Sequence, residues 1–222
     1  HQAGLYRFNP AVVIDDLYDF QKMAFNLASQ APAWQPGAQF GYHSITWGYL
    51  AGEMIRQITG QTPGQYIADR ITRPLEADFY LGLPDSLHQR CATLIGPNHA
   101  RRAMPGRRPP QLNERLKTKD PIITPFRDAC SADWRRAEIP ASNGHASARG
   151  LAACFNAALG GALITPATLK QATSEVTDGE IDQVLGYPVR RAMGFILSCK
   201  DVWLGPSSRA FGHTGTGGSI AF

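Results

Sequence analysis

One stretch limits the folds open to this chain more than any other. It runs from Gly41 to Gly60 and reads Gly-Tyr-His-Ser-Ile-Thr-Trp-Gly-Tyr-Leu-Ala-Gly-Glu-Met-Ile-Arg-Gln-Ile-Thr-Gly. Trp47, Leu50, Ala51, Met54, Ile55 and Ile58 recur at helical spacing and predict one apolar face. Glu53, Arg56 and Gln57 fall on the other. Gly60 is a C-terminal stop, and Pro36-Gly37 marks a turn upstream. Tyr42 is thereby presented at the mouth of a helix, beside His43 and Ser44. Taken alone, the same stretch fits a half-buried tyrosine with Ser44 as the helix N-cap.

Helical spacing also appears on either side. Leu17, Phe20, Ala24 and Leu27 predict a helix within 12–29, with Asp15 and Asp16 early and Lys22 later. Thr62-Pro63 opens a further helix with proline at its first position, and Arg73-Pro74 closes it. Phe79 to Pro84 is a short apolar run read as extended, and 85–94 is read as another helix. From Gly96 to Pro140 the chain is rich in Pro and Arg and poor in periodicity, which predicts a long loop. Ser142-Asn143-Gly144-His145 is a turn. A helix returns over 147–159, stopped by Gly160-Gly161, and Thr165-Pro166 opens the next. The pattern then changes to two strand-like runs, 193–198 and 208–213, joined through Leu204-Gly205-Pro206 as a hairpin. Two strands alone do not make a stable sheet, so partners beyond this sequence are expected and the chain is read as truncated at both ends.

The chain has 222 residues, of which 43% are hydrophobic, enough for one large domain with a real core. Net charge is +4, and Arg101, Arg102, Arg107 and Arg108 supply much of it. No aromatic residue interleaves these arginines and no nucleic-acid motif surrounds them, so a solvated loop is expected and nucleic acid is not. Cys91, Cys130, Cys154 and Cys199 show no C-x-x-C spacing, which excludes a zinc knuckle or a redox pair of that type. Cys154 and Cys199 are expected to be buried thiols. No apolar run approaches the roughly 18 residues of a membrane span.

Near the end lies His213-Thr214-Gly215-Thr216-Gly217-Gly218-Ser219. Its glycines let backbone approach a ligand closely. No Lys-Ser/Thr follows Gly218 and the G-x-G-x-x-G spacing is absent, so this is neither a P-loop nor a dinucleotide fingerprint.

Taken together these stretches resemble the serine β-lactamase and DD-peptidase superfamily, nearest its esterase branch, the family VIII type carboxylesterases. Four marks in order carry the resemblance. His1-Gln2-Ala3-Gly4-Leu5 resembles the H-x-x-G-L that follows the nucleophile region. Tyr42-His43-Ser44 stands in the place of Y-x-N or Y-x-S. Gly144 to Leu151 is the third mark. Phe211 to Gly218 stands in the place of the K-T-G strand. The family's S-x-x-K motif is absent: Asp19, Glu114, Leu116, Ala167 and Leu197 stand three residues before Lys22, Lys117, Lys119, Lys170 and Lys200. In the family that motif lies upstream of H-x-x-G-L, so the nucleophile and its lysine are expected before His1.

The resemblance implies an α/β, β-lactamase-like architecture: an antiparallel sheet flanked by helices, plus a helical domain. It implies a single domain over 1–222, mostly helical over 1–175 with a long loop at 96–140, and strands over 190–222. It implies an acyl-enzyme mechanism in which Tyr42 and a lysine relay the proton of a serine hydroxyl. A free tyrosine titrates near 10, so nearby cations must support a phenolate; His213 is assigned part of that field, or a hydrogen bond to the leaving group. Ser44, Thr214, Gly215 and Thr216 are implied in substrate binding or the oxyanion hole, with the Thr216 N–H as its donor. His43 is read as structural or at the rim of the site, and His145 as fixing a turn. No metal or cofactor is implied, the substrate is a small or medium acyl ester, and the cytoplasm is the favoured compartment. The alternatives are β-lactamase or D-amino acid peptidase activity and, in another class, a non-catalytic scaffold.

Overall fold

Side-chain caps set where the helices begin. The computed structural model describes residues 1–94, 128–177, 180–200, 202–215 and 218–222. The single helix expected over 12–29 is two elements: a 3-10 turn, Ile14–Tyr18, and helix α1, Phe20–Ser29. Asp19 divides them in an extended conformation, because its carboxylate caps α1 by accepting the Lys22 N–H at 3.0 Å. Helix α2 is Thr46–Thr59 and ends at Gly60, whose left-handed φ of 72° turns its N–H onto the Arg56 carbonyl. Ile45 is the N-cap residue and makes no side-chain cap, so Ser44 is not the cap of this helix. Thr62 and Gln65 form a capping box on helix α3, Pro63–Ile67, which continues as a π-turn over Ala68–Thr72. A 3-10 turn over Asp85–Arg90 replaces the helix expected to reach residue 94.

The stretch 128–140, expected as loop, contains helix α4, Ala132–Arg136, capped by Ser131; the earlier part of that expected loop, with Arg101, Arg102, Arg107 and Arg108, lies outside the described residues. Ser147 caps helix α5, Ala148–Leu159, and Thr165 caps helix α6, Pro166–Ala172. Strand β1, Phe79–Tyr80, pairs antiparallel with β2, His145–Ala146. Near the end, β3, Ile196–Leu197, pairs with β4, Phe211–Thr214, and β4 with β5, Ile220–Ala221, both antiparallel. The expected hairpin therefore has a third strand within the chain itself.

Helix α2 packs differently from its hydrophobic pattern. Met54 is 65% and Ile58 80% exposed, while Thr46, Gly48, Tyr49 and Gly52 are buried. Small residues let the helix backbone come close to its neighbours. A Cβ on Gly48 would overlap the Ala141 backbone nitrogen, and one on Gly52 would stand 2.7 Å from Pro63 Cγ and 2.8 Å from Phe20 Cζ. Tyr49 fills the main core with Phe8, Leu17, Met23, Leu27, Trp134 and Ile139, and its hydroxyl donates to the Leu17 carbonyl at 2.6 Å. A second core of Val189, Ile196 and Leu204 lies against β3. Phe195 and Phe211 meet edge to face at 5.0 Å, and Phe155 of α5 stacks on Phe211 at 6.4 Å, so α5 is joined to the sheet. The four cysteines are half-buried free thiols rather than fully buried ones.

Two buried polar side chains fix the walls around Tyr42. Asn143 completes the 142–145 turn: its amide nitrogen donates to the Trp134 and Ala137 carbonyls at 2.7 Å, and its oxygen accepts the Ile139 N–H at 2.8 Å. His43 is 1% exposed. Its Nδ1–H donates to the Gly41 carbonyl at 2.6 Å, which leaves Nε2 to accept the Leu5 N–H at 3.0 Å. The N-terminal segment is thus pinned to the loop that carries Tyr42, and the structural role expected of His43 is the one observed.

Two expectations follow from this packing. Gly48→Ala should destabilise the chain by about 2 kcal/mol, because the overlap is with backbone and outweighs the gain in helix propensity. Met54→Ala, on the apolar face that is exposed, should stay within about 0.5 kcal/mol. Urea midpoints of the two variants measure this, and a larger loss for Met54→Ala would reverse the assignment of the packed face. Burial, in turn, pushes the His43 ring down to about 4 from 6.5. The unfolded chain binds the extra proton first, so stability should fall as pH drops from about 6.5 to about 4. In His43→Gln the denaturation midpoint should depend less steeply on pH across that window; an unchanged slope would mean that other groups cause the loss.

Candidate active site

A cleft of about 880 Å³ opens beside Tyr42, between the end of the loop before α2, the outer part of β4 and the turn after α4. Tyr42, Ser44, His213, Thr214 and Gly215 all line it, although 140 residues or more separate its two sides in sequence. Five of the six site residues expected from sequence therefore face one space. Thr216, the expected oxyanion donor, lies outside the described residues. Among the described residues no group of three or more His, Cys, Asp or Glu side chains is arranged to hold a metal ion, and no helix is long and apolar enough to cross a membrane.

Tyr42 is surrounded by rings and charge. Its ring stands edge to face with His1 at 5.1 Å and roughly parallel to His213 at 6.0 Å. Ser44 lines the same cleft. Burial pushes the Tyr42 phenol up, and the positive charge of Arg191 followed by the neighbouring Ser44 side chain pulls it part of the way back. At rest it is a neutral phenol, able to donate one proton and accept another.

Of the two roles expected of His213, part of the positive field or a hydrogen bond, its surroundings favour the second. Burial, foremost, and then the nearby Arg191 lower its pKa below the usual 6.5, so near pH 7 the ring is neutral. Its Nδ1–H donates to the Thr214 carbonyl at 2.7 Å, which leaves Nε2 as an acceptor. That bond to a backbone carbonyl orients the ring while the ring face meets Tyr42. The Gly215 N–H is also committed, donating to the Ser219 carbonyl at 2.7 Å, so it is not a free oxyanion donor. What Gly215 provides is room: a Cβ there would overlap the Ser219 hydroxyl. His145 sits in β2 opposite Tyr80, consistent with its structural reading.

The cation beside Tyr42 is one that sequence reading missed. Arg191 is 3% exposed, and its guanidinium carbon lies 4.6 Å from the centre of the Tyr42 ring. Asp182, fully buried, faces it with an Nε to Oδ2 distance of 3.5 Å. The other oxygen, Oδ1, accepts the backbone N–H groups of Tyr42 at 3.0 Å and of Val184 and Leu185 at 2.9 Å. The signal available in sequence was the Arg190-Arg191 pair in a largely apolar segment. The two arginines part company, since Arg190 turns outward to Glu175 at 2.8 Å.

Comparison with known proteins identifies the family. The family model described as Beta-lactamase matches residues 1–222. The Mycobacterium tuberculosis protein "Esterase/beta-lactamase LipL" is 29% identical over 247 residues, covering 100% of this chain and 53% of its own length. Among solved structures, a penicillin-binding protein homologue from Caulobacter crescentus is 39% identical with a TM-score of 0.80, over 99% of this chain and 59% of that one. A family VIII carboxylesterase is 33% identical with a TM-score of 0.85, over 99% and 58%. The chain spans about half the length of its curated relative and about three fifths of these two structures. The architecture is β-lactamase-like, as the order of motifs implied, and with the family model matched from His1 to Phe222 the chain belongs to the Beta-lactamase family.

Proposed function

We propose that this chain carries the tyrosine and β4 side of a serine hydrolase site that cleaves small or medium acyl esters through an acyl-enzyme. The observation that carries the reading is the neutral Tyr42 phenol, set in a cleft against a neutral His213. Its likeness to a protein named as a family VIII carboxylesterase supports the ester class. A serine hydroxyl attacks the ester carbonyl and gives its proton to the Tyr42 and lysine pair. The tetrahedral intermediate collapses, the proton passes to the departing alkoxide, and water later releases the acid by the same relay. None of the five lysines follows a Ser or Thr by three residues, and in this reading the serine and its lysine are supplied from outside these 222 residues. His213 Nε2, an acceptor, fits a hydrogen bond from the Tyr42 hydroxyl or from the leaving alcohol once protonated.

The second reading, β-lactam or D-amino acid peptide hydrolysis, draws on the names of the Mycobacterium tuberculosis and Caulobacter crescentus relatives. Those substrates present a carboxylate or an amide-bearing side chain. Burial keeps His213 uncharged, which makes it a weak anchor for a carboxylate, and Ser44 lacks the amide of an asparagine. Both features favour a simple ester.

In the intact protein, Tyr42→Phe should keep the melting temperature and lower kcat by about 10²-fold or more, the range of general acid–base loss; a nearly unchanged kcat would leave Tyr42 a packing residue. A nitrophenyl butyrate should exceed nitrocefin in kcat/KM by about 10²-fold, and a His213→Lys, Ser44→Asn double variant should narrow the ratio. Equal efficiency on the two would promote the β-lactamase reading, and turnover of neither would favour a scaffold.

A further inference from the structure

Tyr42 in proton transfer needs a nearby cation, and His213 is not it. The groups facing Tyr42 are the His1 ring, the Ser44 hydroxyl, His213 on β4, and Asp182, Tyr187 and Arg191 from the segment before β3. Of these side chains the guanidinium of Arg191 is the permanent positive charge. It is nearly free of water, so its field is weakly screened. A guanidinium over an aromatic face is held there by the ring's negative face, which fixes the charge in direction as well as in distance.

An arginine buried on its own would be costly, and Asp182 compensates it. The same carboxylate does something a simple counter-ion would not. Through one oxygen it collects three backbone N–H groups, including that of Tyr42 itself, 140 residues away in sequence. Charge and backbone position are therefore set by one unit. We infer that Asp182 and Arg191 form a buried positioning pair for Tyr42: Asp182 fixes the backbone of the tyrosine, and Arg191 places a permanent positive charge against its ring. The pair also explains an otherwise unfavourable arrangement, in which Asp182 Oδ2 and Arg191 Nε meet at 3.5 Å without a hydrogen bond. Arg191 gives up its best contact with the carboxylate and lies over the tyrosine instead.

This inference rests on Tyr42 acting in proton transfer, and one experiment separates the two. The intact protein is labelled with 13Cζ-tyrosine, and the Tyr42 signal, assigned by its loss in Tyr42→Phe, is titrated without substrate. The comparison is Asp182→Asn with Arg191→Met, which removes both charges together, leaves no buried ion unpaired and keeps an acceptor for the three N–H groups. The phenol should titrate higher by about one pH unit or more, and kcat at pH 7 should fall about 10-fold or more with KM nearly unchanged. Arg191→Lys, which keeps the charge, should retain most of the original titration, and it carries the test if the double variant does not fold: an upward shift of about one pH unit or more in a folded Arg191→Lys would overturn the charge assignment. An unshifted Tyr42 titration in a cooperatively melting double variant would overturn the pair. A shifted titration with unchanged kcat would support the pair and overturn the role of Tyr42 in turnover.

Discussion

Burying a loop means finding partners for its backbone, and that constraint governs the Tyr42 region. An unpaired buried N–H costs about 1–3 kcal/mol, and residues 41–45 lie where neither a helix nor a sheet ladder can satisfy them. Two side chains do so from opposite directions. Asp182 reaches in from late in the chain and takes the Tyr42 N–H. His43 bridges the Gly41 carbonyl and the Leu5 N–H from within the loop. The Tyr42 phenol is therefore held by its main chain before any of its own contacts are considered.

The cleft walls are assembled on the same terms. Asn143 satisfies three backbone groups and shapes the turn that leads into β2. The Thr214 carbonyl orients His213, and the Gly215 amide closes β4 onto β5. Groups that a sequence motif suggests for binding substrate are in part engaged in holding the strand. Among the described polar groups that line the cleft are a phenol, the Ser44 hydroxyl, an imidazole and a guanidinium.

Local features were legible in sequence. Helix α2, its stop at Gly60, the Thr62-Pro63 start, the Ser147 and Thr165 starts and the β3–β4 hairpin follow from caps, turns and spacing within a few residues. The order of short motifs was enough to identify the family and to bring Tyr42, Ser44, His213 and Thr214 to one place. Three things escaped. The packed side of α2 is made by Gly48 and Gly52, and hydrophobic periodicity gives no weight to residues that pack by being small. The helix expected over 12–29 breaks at Asp19, where a cap outcompetes continuation of the pattern. Asp182 and Arg191 meet Tyr42 through tertiary structure alone, and no spacing rule links positions so far apart.

The close contact of Gly48 with the Ala141 backbone has a bearing on how variation in this chain would be read. A library of random substitutions scored by activity would mark Gly48 as intolerant, although it touches no substrate. Its neighbour one turn on, Gly52, would score alike, while the large apolar Met54 and Ile58 beside them accept change. A map of sensitivity would then outline the seams of α2, against the turn before β2 at Gly48 and against Phe20 and Pro63 at Gly52, as sharply as the cleft itself. Invariance at those glycines would record how closely the helix is packed, and only the polar positions among the sensitive ones would report chemistry.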